Sequence, residues 1–287
     1  MKFALPLLTL ACLAAIAATA WSLLGRGTTA AIDVPGSAAP APAPPPTGPA
    51  AALQAARRSC SLPALDAVVA DLRARTTAAP EDRDAWRLLA EALLERTQLR
   101  TQRRGLTVGA PVFDELPAEL AQDVRDGIAA AARARELGAD DGDLYRIEAS
   151  LMSQQITGLA AALQWNPRIE AALGAAAERD RDNPRLHTVL GLRKLLAPRL
   201  FGHDPDGALA HFEFAAGALA DDERPAVFAA MASYLQKKRQ QAIAWLERAV
   251  ARNPNNVFAR VVLRRVQRDE PAPFARDVGD DEAAAVK

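Results

Sequence analysis

Across residues 206–268, apolar side chains recur at helical spacing and are interrupted by turns. Ala208, Phe212 and Ala215 form one stripe, and Phe228, Met231, Ala232 and Leu235 a second. Ala242, Leu246 and Ala249 form a third, closed by Pro254. Each set falls on one face of a helix. Mixing small and bulky residues on a face lets paired helices approach while large side chains fill the gap between them. Weaker copies run back along the chain. Leu62, Leu65, Val69 and Leu72 share a face, with Ser61 placed as N-cap and Pro63 in the first turn. Trp86, Leu89, Ala90 and Leu93 follow, then Tyr145, Ala149 and Met152, where Glu148 occupies an offset that is usually apolar. Gly138 is placed as a helix C-cap. A partner helix is expected over 169–181, and Asn183-Pro184 punctuates the step to Leu190-Gly191. Three irregular breaks fall at 105–117, 158–167 and 198–205, and loops of that length tend to be functional or disordered. A last helix over 256–268 puts Phe258, Val262 and Val266 on one face and Arg264, Arg265 and Arg268 on another. That is what a capping helix at the end of an array requires. Residues 269–287, with Pro, Gly and an acidic patch, are expected to form a disordered tail.

The first 52 residues have a different pattern. Residues 3–24 are apolar apart from small Ser and Thr residues, with Lys2 before them and Arg26 after. About 20 apolar residues suffice to span a bilayer. Two readings stand: a signal anchor, or a signal peptide cut after Ala18-Thr19-Ala20. The apolar run continues past that site through Trp21, Leu23 and Leu24, which favours the anchor. Residues 25–52 are rich in Ala, Pro and Gly. Such a segment cannot bury enough surface to fold and favours an extended polyproline spacer.

Composition narrows the class. The 287-residue chain is half hydrophobic, dominated by the helix formers Ala and Leu, with few Val, Ile and Thr runs to build strands. Its 35 acidic residues balance 35 basic ones, so it lacks the basic footprint of a nucleic-acid binder. Cys12 and Cys60 make neither a zinc spacing nor a disulfide framework.

The offsets at 86–93 and 206–254 resemble the tetratricopeptide repeat (TPR) family, and the resemblance extends weakly over 62–268. It implies an all-α fold: a TPR-like helical-hairpin superhelix (an α-solenoid) behind the N-terminal membrane segment and the Pro/Ala-rich linker. The domains would then be 1–24, 25–52, a helical domain at 53–268, and the tail. The family's concave groove would be lined by Asp84, Arg87, Glu91, Arg146, Ser150, Ser153, Thr188, Leu192, Ser233 and Gln236, and would hold a peptide segment or helix of another protein. Two narrower resemblances exist. Leu200-Phe201-Gly202-His203-Asp204-Pro205 is similar to a loop in the periplasmic T component of TRAP transporters, which implies a helical accessory protein of a solute transporter. The Ala-Trp-Arg-Leu-Leu-Ala segment at 85–90, behind an anchor and linker, is similar to the periplasmic TPR part of cytochrome c maturation factors. These resemblances imply a bacterial inner-membrane protein with a single N-terminal pass and its helical domain in the periplasm. After cleavage near Ala20 it would instead be free in the periplasm.

Candidate chemistry is sparse. No phosphate loop, dinucleotide fingerprint, nucleophile elbow or HExxH motif occurs. His203, Asp204, Asp206 and His211 have no recognised zinc spacing. Asp204-Pro205-Asp206-Gly207 is a turn leading into a helix. His187 is expected to be packed in the core, and Lys237-Lys238-Arg239 to be a solvated turn. No catalysis, cofactor or metal is expected. The expectation is a membrane-tethered extracytoplasmic scaffold for protein–protein interaction.

Overall fold

The computed structural model describes residues 48–286. The proposed membrane segment and most of the linker lie outside the described residues. Among those described, the regular elements are helices, and none is long and apolar enough to cross a membrane. They are α1 (Pro49–Ser59), α2 (Leu62–Ala78), α3 (Arg83–Thr101), α4 (Ala118–Glu136), α5 (Gly142–Ser153) and α6 (Leu159–Arg179). There follow α7 (Pro184–Leu196), α8 (Pro205–Ala218), α9 (Arg224–Leu235), α10 (Arg239–Arg252), α11 (Val257–Gln267) and the short α12 (Asp280–Ala284), with a 3₁₀ turn at Arg199–Phe201.

The helices start where short polar side chains can satisfy free backbone N–H groups. Asp82 accepts from Asp84 and Ala85, Asp141 from Leu144, Asn183 from Arg185 and Leu186, and Asn256 from Ala259. The expected cap at Ser61 is present, accepting from Ala64. Gly138 follows the end of α4 at φ +90°, a left-handed conformation that suits glycine.

α3 packs on α4, α5 on α6, α7 on α8 and α9 on α10. The first helices also touch in succession: α3 with α5, α5 with α7, and α7 with α9. This is the stacked-hairpin order expected of a TPR-like array. The small-and-bulky logic is visible at Gly191 and Phe212. A Cβ at Gly191 would sit 2.5 Å from the Phe212 ring. Phe212 itself is fully buried, and so are Ala208, Ala215, Ala242, Leu246 and Ala249.

Five expectations are corrected. A helix begins at Pro49, inside the segment assigned to the linker, because Leu53 and Ala56 are buried in the first core cluster. The break placed at 158–167 is narrower: α6 begins at Leu159 and runs through Pro167. The carbonyl that Pro167 leaves without a donor belongs to Leu163, on an exposed turn. Leu235, assigned to a packed stripe, is exposed. The break at 198–205 contains the 3₁₀ turn.

The fifth correction concerns the C-terminus. Residues 271–285 are docked, with Phe274, Val278 and Ala283 buried. Arg265, expected on a solvent face, is 2% exposed and holds this segment. Its Nη1 donates to the Pro273 and Arg276 carbonyls at 3.1 and 2.9 Å, and its Nη2 to Asp277 O at 2.9 Å. Its Nε donates to Glu282 at 3.0 Å. A guanidinium has enough donors to satisfy several carbonyls of one loop. Arg265→Met would retain the packed stem and remove every one of these bonds. Amide exchange in 270–286 is expected to accelerate about tenfold or more while α7–α10 stays protected, a local opening rather than global unfolding. Hydrogen–deuterium exchange read by peptide checks this.

Candidate functional site

The N-terminal helices meet the far end of the array. Gln54 donates to Asp221 at 2.5 Å, and the Arg58 carbonyl accepts from Asn255 at 3.1 Å. Arg57 stands 3.6 to 3.9 Å from Asp221, Asp222 and Glu95. From the other side, Arg224 at the start of α9 reaches α3. It donates to both Glu95 oxygens at 3.0 and 3.2 Å and to Gln98. It also binds Asp222 at 2.9 and 2.7 Å. Burial alone would push the Asp222 carboxyl up. Arg224 and Arg57 beside it, with the hydrogen bonds from Arg224, outweigh burial and hold it well below the usual carboxylate range.

A second closure lies at the turn ends. The long loop after α3 is tied to the C-terminal segment by Leu106 N–H to Phe274 O at 2.7 Å, Val278 N–H to Arg103 O at 2.8 Å, and Gly105 N–H to Asp277 at 2.8 Å. A Cβ at Gly105 would lie 2.3 Å from Ala275 O, so only glycine permits this approach. The same loop is tied to the end of α7 through Gly109 N–H to Leu196 O at 2.8 Å.

Together these contacts turn the first helices around a cavity of about 280 Å³. Each second helix returns beside its first, so the first helices run in one direction. Arg146, Arg185 and Arg224 enter from their N-terminal halves. Leu99, Leu192 and Leu196 enter from their C-terminal ends, with Leu106 and Val112 of the long loop beside them. Polar groups stand at that edge too, where Gln98, Thr101, Gln102, Arg104 and Gln154 share the wall, while α7 itself runs from a charged start to an apolar end. Cys60 also lines it. Burial, and then Glu223 nearby, raise its thiol pKa, so the thiol is protonated at neutral pH.

Of the ten groove positions expected from the family resemblance, Arg146, Thr188 and Leu192 line this cavity. Asp84 is exposed beside Arg83, and Arg87 pairs with Asp141 and Asp143 at 3.1 and 3.3 Å. Glu91 lies 3.8 Å from Arg185. Ser150 is buried, and Ser153 and Ser233 each donate back to their own helix, at the Ala149 and Ala229 carbonyls. Gln236 donates to the Pro205 carbonyl. The positions missed are Arg185, Val189 and Leu196 on α7, together with Glu95 and Gln98 in the second half of α3. A signal for the α7 set was present: residues 185, 188, 189, 192 and 196 form a single helical stripe, of which only two were chosen. No comparable signal marked α3, whose inward half is set by the long-range contact with Arg224.

The histidines do not converge. His187 and His211 meet at 3.1 Å through their Nδ1 atoms, and the His187 ring lies 4.2 Å from that of Phe214. His203 instead contacts the Leu195 carbonyl. Among the described residues, no group of three or more metal-ligating side chains is found.

No protein-family model matches the chain, and no curated protein matches it. Among solved structures, the chain is similar to YrrB, a TPR protein described as having an unusual peptide-binding site. The two share 12% identity with a TM-score of 0.35, over 73% of this chain and 88% of that one. The fold assignment here rests on the helix pairing itself.

Proposed function

We propose that this chain is a non-catalytic helical-repeat scaffold that holds another protein, displayed outside the cytoplasm on an N-terminal membrane segment. The observation that carries the binding half is a set of apolar side chains left in solvent. Leu200 is 91% exposed, Phe201 73%, and Leu159 and Leu163 72% each. They sit where a first helix turns into its second, between α5 and α6 and between α7 and α8, so both groups lie on the same edge of the array. Clustered exposed apolar side chains mark interaction surfaces. An apolar helix or segment of a partner protein fits that edge. The membrane half is supported by the apolar run at 3–24 behind Lys2.

A photoreactive residue at Leu200 in native membranes tests the first half. The expected result is a crosslink to a discrete protein that is lost in Leu159→Ser/Leu163→Ser and not formed from Asp182, exposed on the α6–α7 turn of the opposite edge. Equal labelling from the two positions would sink the reading. Alkaline carbonate extraction tests the second: an anchored chain stays in the membrane fraction, whereas a cleaved one is released with its N-terminus after Ala20. A second reading, a helical accessory protein of a solute transporter, is supported by the cavity bordered by Leu192 and Leu196 just before the 198–205 loop.

A further inference from the structure

We propose that the cavity lined by the first helices is a binding site for a small amphipathic carboxylate, with its head on Arg185 and Arg146 and its chain along the apolar stripe of α7. This goes beyond the scaffold reading and does not depend on it.

The side chain of Arg185 lines the cavity and is 34% exposed, yet its guanidinium makes no hydrogen bond among the described residues. Its Nε is buried without a partner, and its nearest carboxylate, Glu91, stands 3.8 Å from Nη1, beyond hydrogen-bond reach. A buried donor left unmade is costly. Such donors are normally paired, and an exception calls for a missing partner. Arg146 lies on the neighbouring first helix and lines the same space. It gives its Nε to Asp143 at 2.6 Å, while no hydrogen bond is found for its two Nη groups among the described residues. An arginine fork is matched in geometry to a carboxylate, which it binds through parallel N–H···O bonds.

Two other guanidinium groups on the wall are matched: Arg224 binds Glu95 and Asp222, and Arg104 pairs with Asp277. Arg57 also has a buried Nη2 without a hydrogen bond, but three carboxylates, Glu95, Asp221 and Asp222, surround it at 3.6 to 3.9 Å. Glu223 accepts from Asn256 at 2.8 Å. The unmet demand is therefore for an acceptor near Arg185, not for a cation. Thr188 beside it spends its hydroxyl proton on the Pro184 carbonyl. Beyond it the face of α7 that lines the cavity is apolar. Val189, Leu192 and Leu196 succeed Arg185 along one face of α7, and Leu99 and Phe228 face them from α3 and α9. A ligand lying along α7 thus passes from a charged site into an apolar one. The volume, about 280 Å³, lies just under the roughly 300 Å³ at which pockets for drug-sized molecules begin. That favours a medium-chain acid over a peptide or a long acyl chain.

The test is calorimetric titration of the full chain in mild detergent with octanoate, beside octan-1-ol and butyrate. Octanoate is expected to bind saturably, and each of the other two about tenfold more weakly, because one lacks the charge-assisted hydrogen bonds and the other the apolar contact. Arg185→Gln is expected to weaken octanoate about tenfold and leave octan-1-ol unchanged. Leu192→Phe, which fills the cavity, is expected to weaken both ligands. Circular dichroism confirms that each variant is folded, and Arg185→Lys, which keeps the charge, should retain part of the affinity. Equal binding of octanoate and octan-1-ol, unchanged affinity in folded Arg185→Gln, or no octanoate binding in the millimolar range would each overturn the proposal.

Discussion

Asp222→Ala is expected to lower the stability of the folded domain by about 3 kcal/mol at neutral pH. The Asp222 side chain is 4% exposed and stands between Arg224 and Arg57. Removing it strands two guanidinium groups that are themselves only 24% and 12% exposed. Breaking one partner out of a buried pair costs about 3–5 kcal/mol. Glu95 still serves Arg224, which places the effect at the low end. The effect depends on pH with a definite sign. The folded carboxyl titrates well below its unfolded value of about 3.9. Its contribution is therefore complete above pH about 4 and is lost as pH falls toward the folded value. Denaturant melts of the two proteins should be farthest apart at neutral pH and converge in acid. A gap that widens below pH about 4 would reverse the assigned sign.

Phe212→Ala should cost about as much, roughly 3–5 kcal/mol. The ring is fully buried, presses on Gly191 across the α7–α8 pair, and lies 5.6 Å from the Phe228 ring of α9. Three helices therefore lose a common contact, and the space left is walled by helix backbone that has little room to collapse. The loss appears in the denaturation midpoint with the m-value unchanged. Phe212→Leu, which fills most of the space, should recover more than half of it. If Phe212→Ala behaves like a surface substitution, within about 0.5 kcal/mol, the packing described for this hairpin is wrong.

What could be read from the sequence follows from the range of the interactions involved. The stripes at 208–215 and 242–249 are local, set by helical period, and they fall in the core where expected. The cap at Ser61 is local too. The ring closure is not. Gln54 with Asp221, and Glu95 with Arg224, join residues more than a hundred apart, and no period or motif pairs them. The same limit explains the tail. Residues 269–287 have the composition of a disordered segment, yet 271–285 are docked and held by Arg265, a residue whose position on a basic face suggested solvent. Glu148 shows the converse. Its odd placement in an apolar stripe was legible, and the structure supplies the consequence. Burial raises its pKa, which Arg135 at 3.1 Å only partly offsets.

The groove was half legible for a related reason. Family offsets identify the inward face of an open superhelix, and they hold for Thr188 and Leu192 on α7. On α3 the closure brings the second half of the helix inward, so Glu95 and Gln98 replace Asp84, Arg87 and Glu91 at the cavity.

Closure of the array on itself underlies the cavity. A double-mutant cycle between Glu95→Gln and Arg224→Gln measures it most directly, because the two residues are 129 positions apart and hydrogen-bonded at 3.0 Å. A coupling energy of about 1 kcal/mol or more is expected. Effects that add to within about 0.3 kcal/mol would mean that α3 and α9 do not meet, and that the array is open.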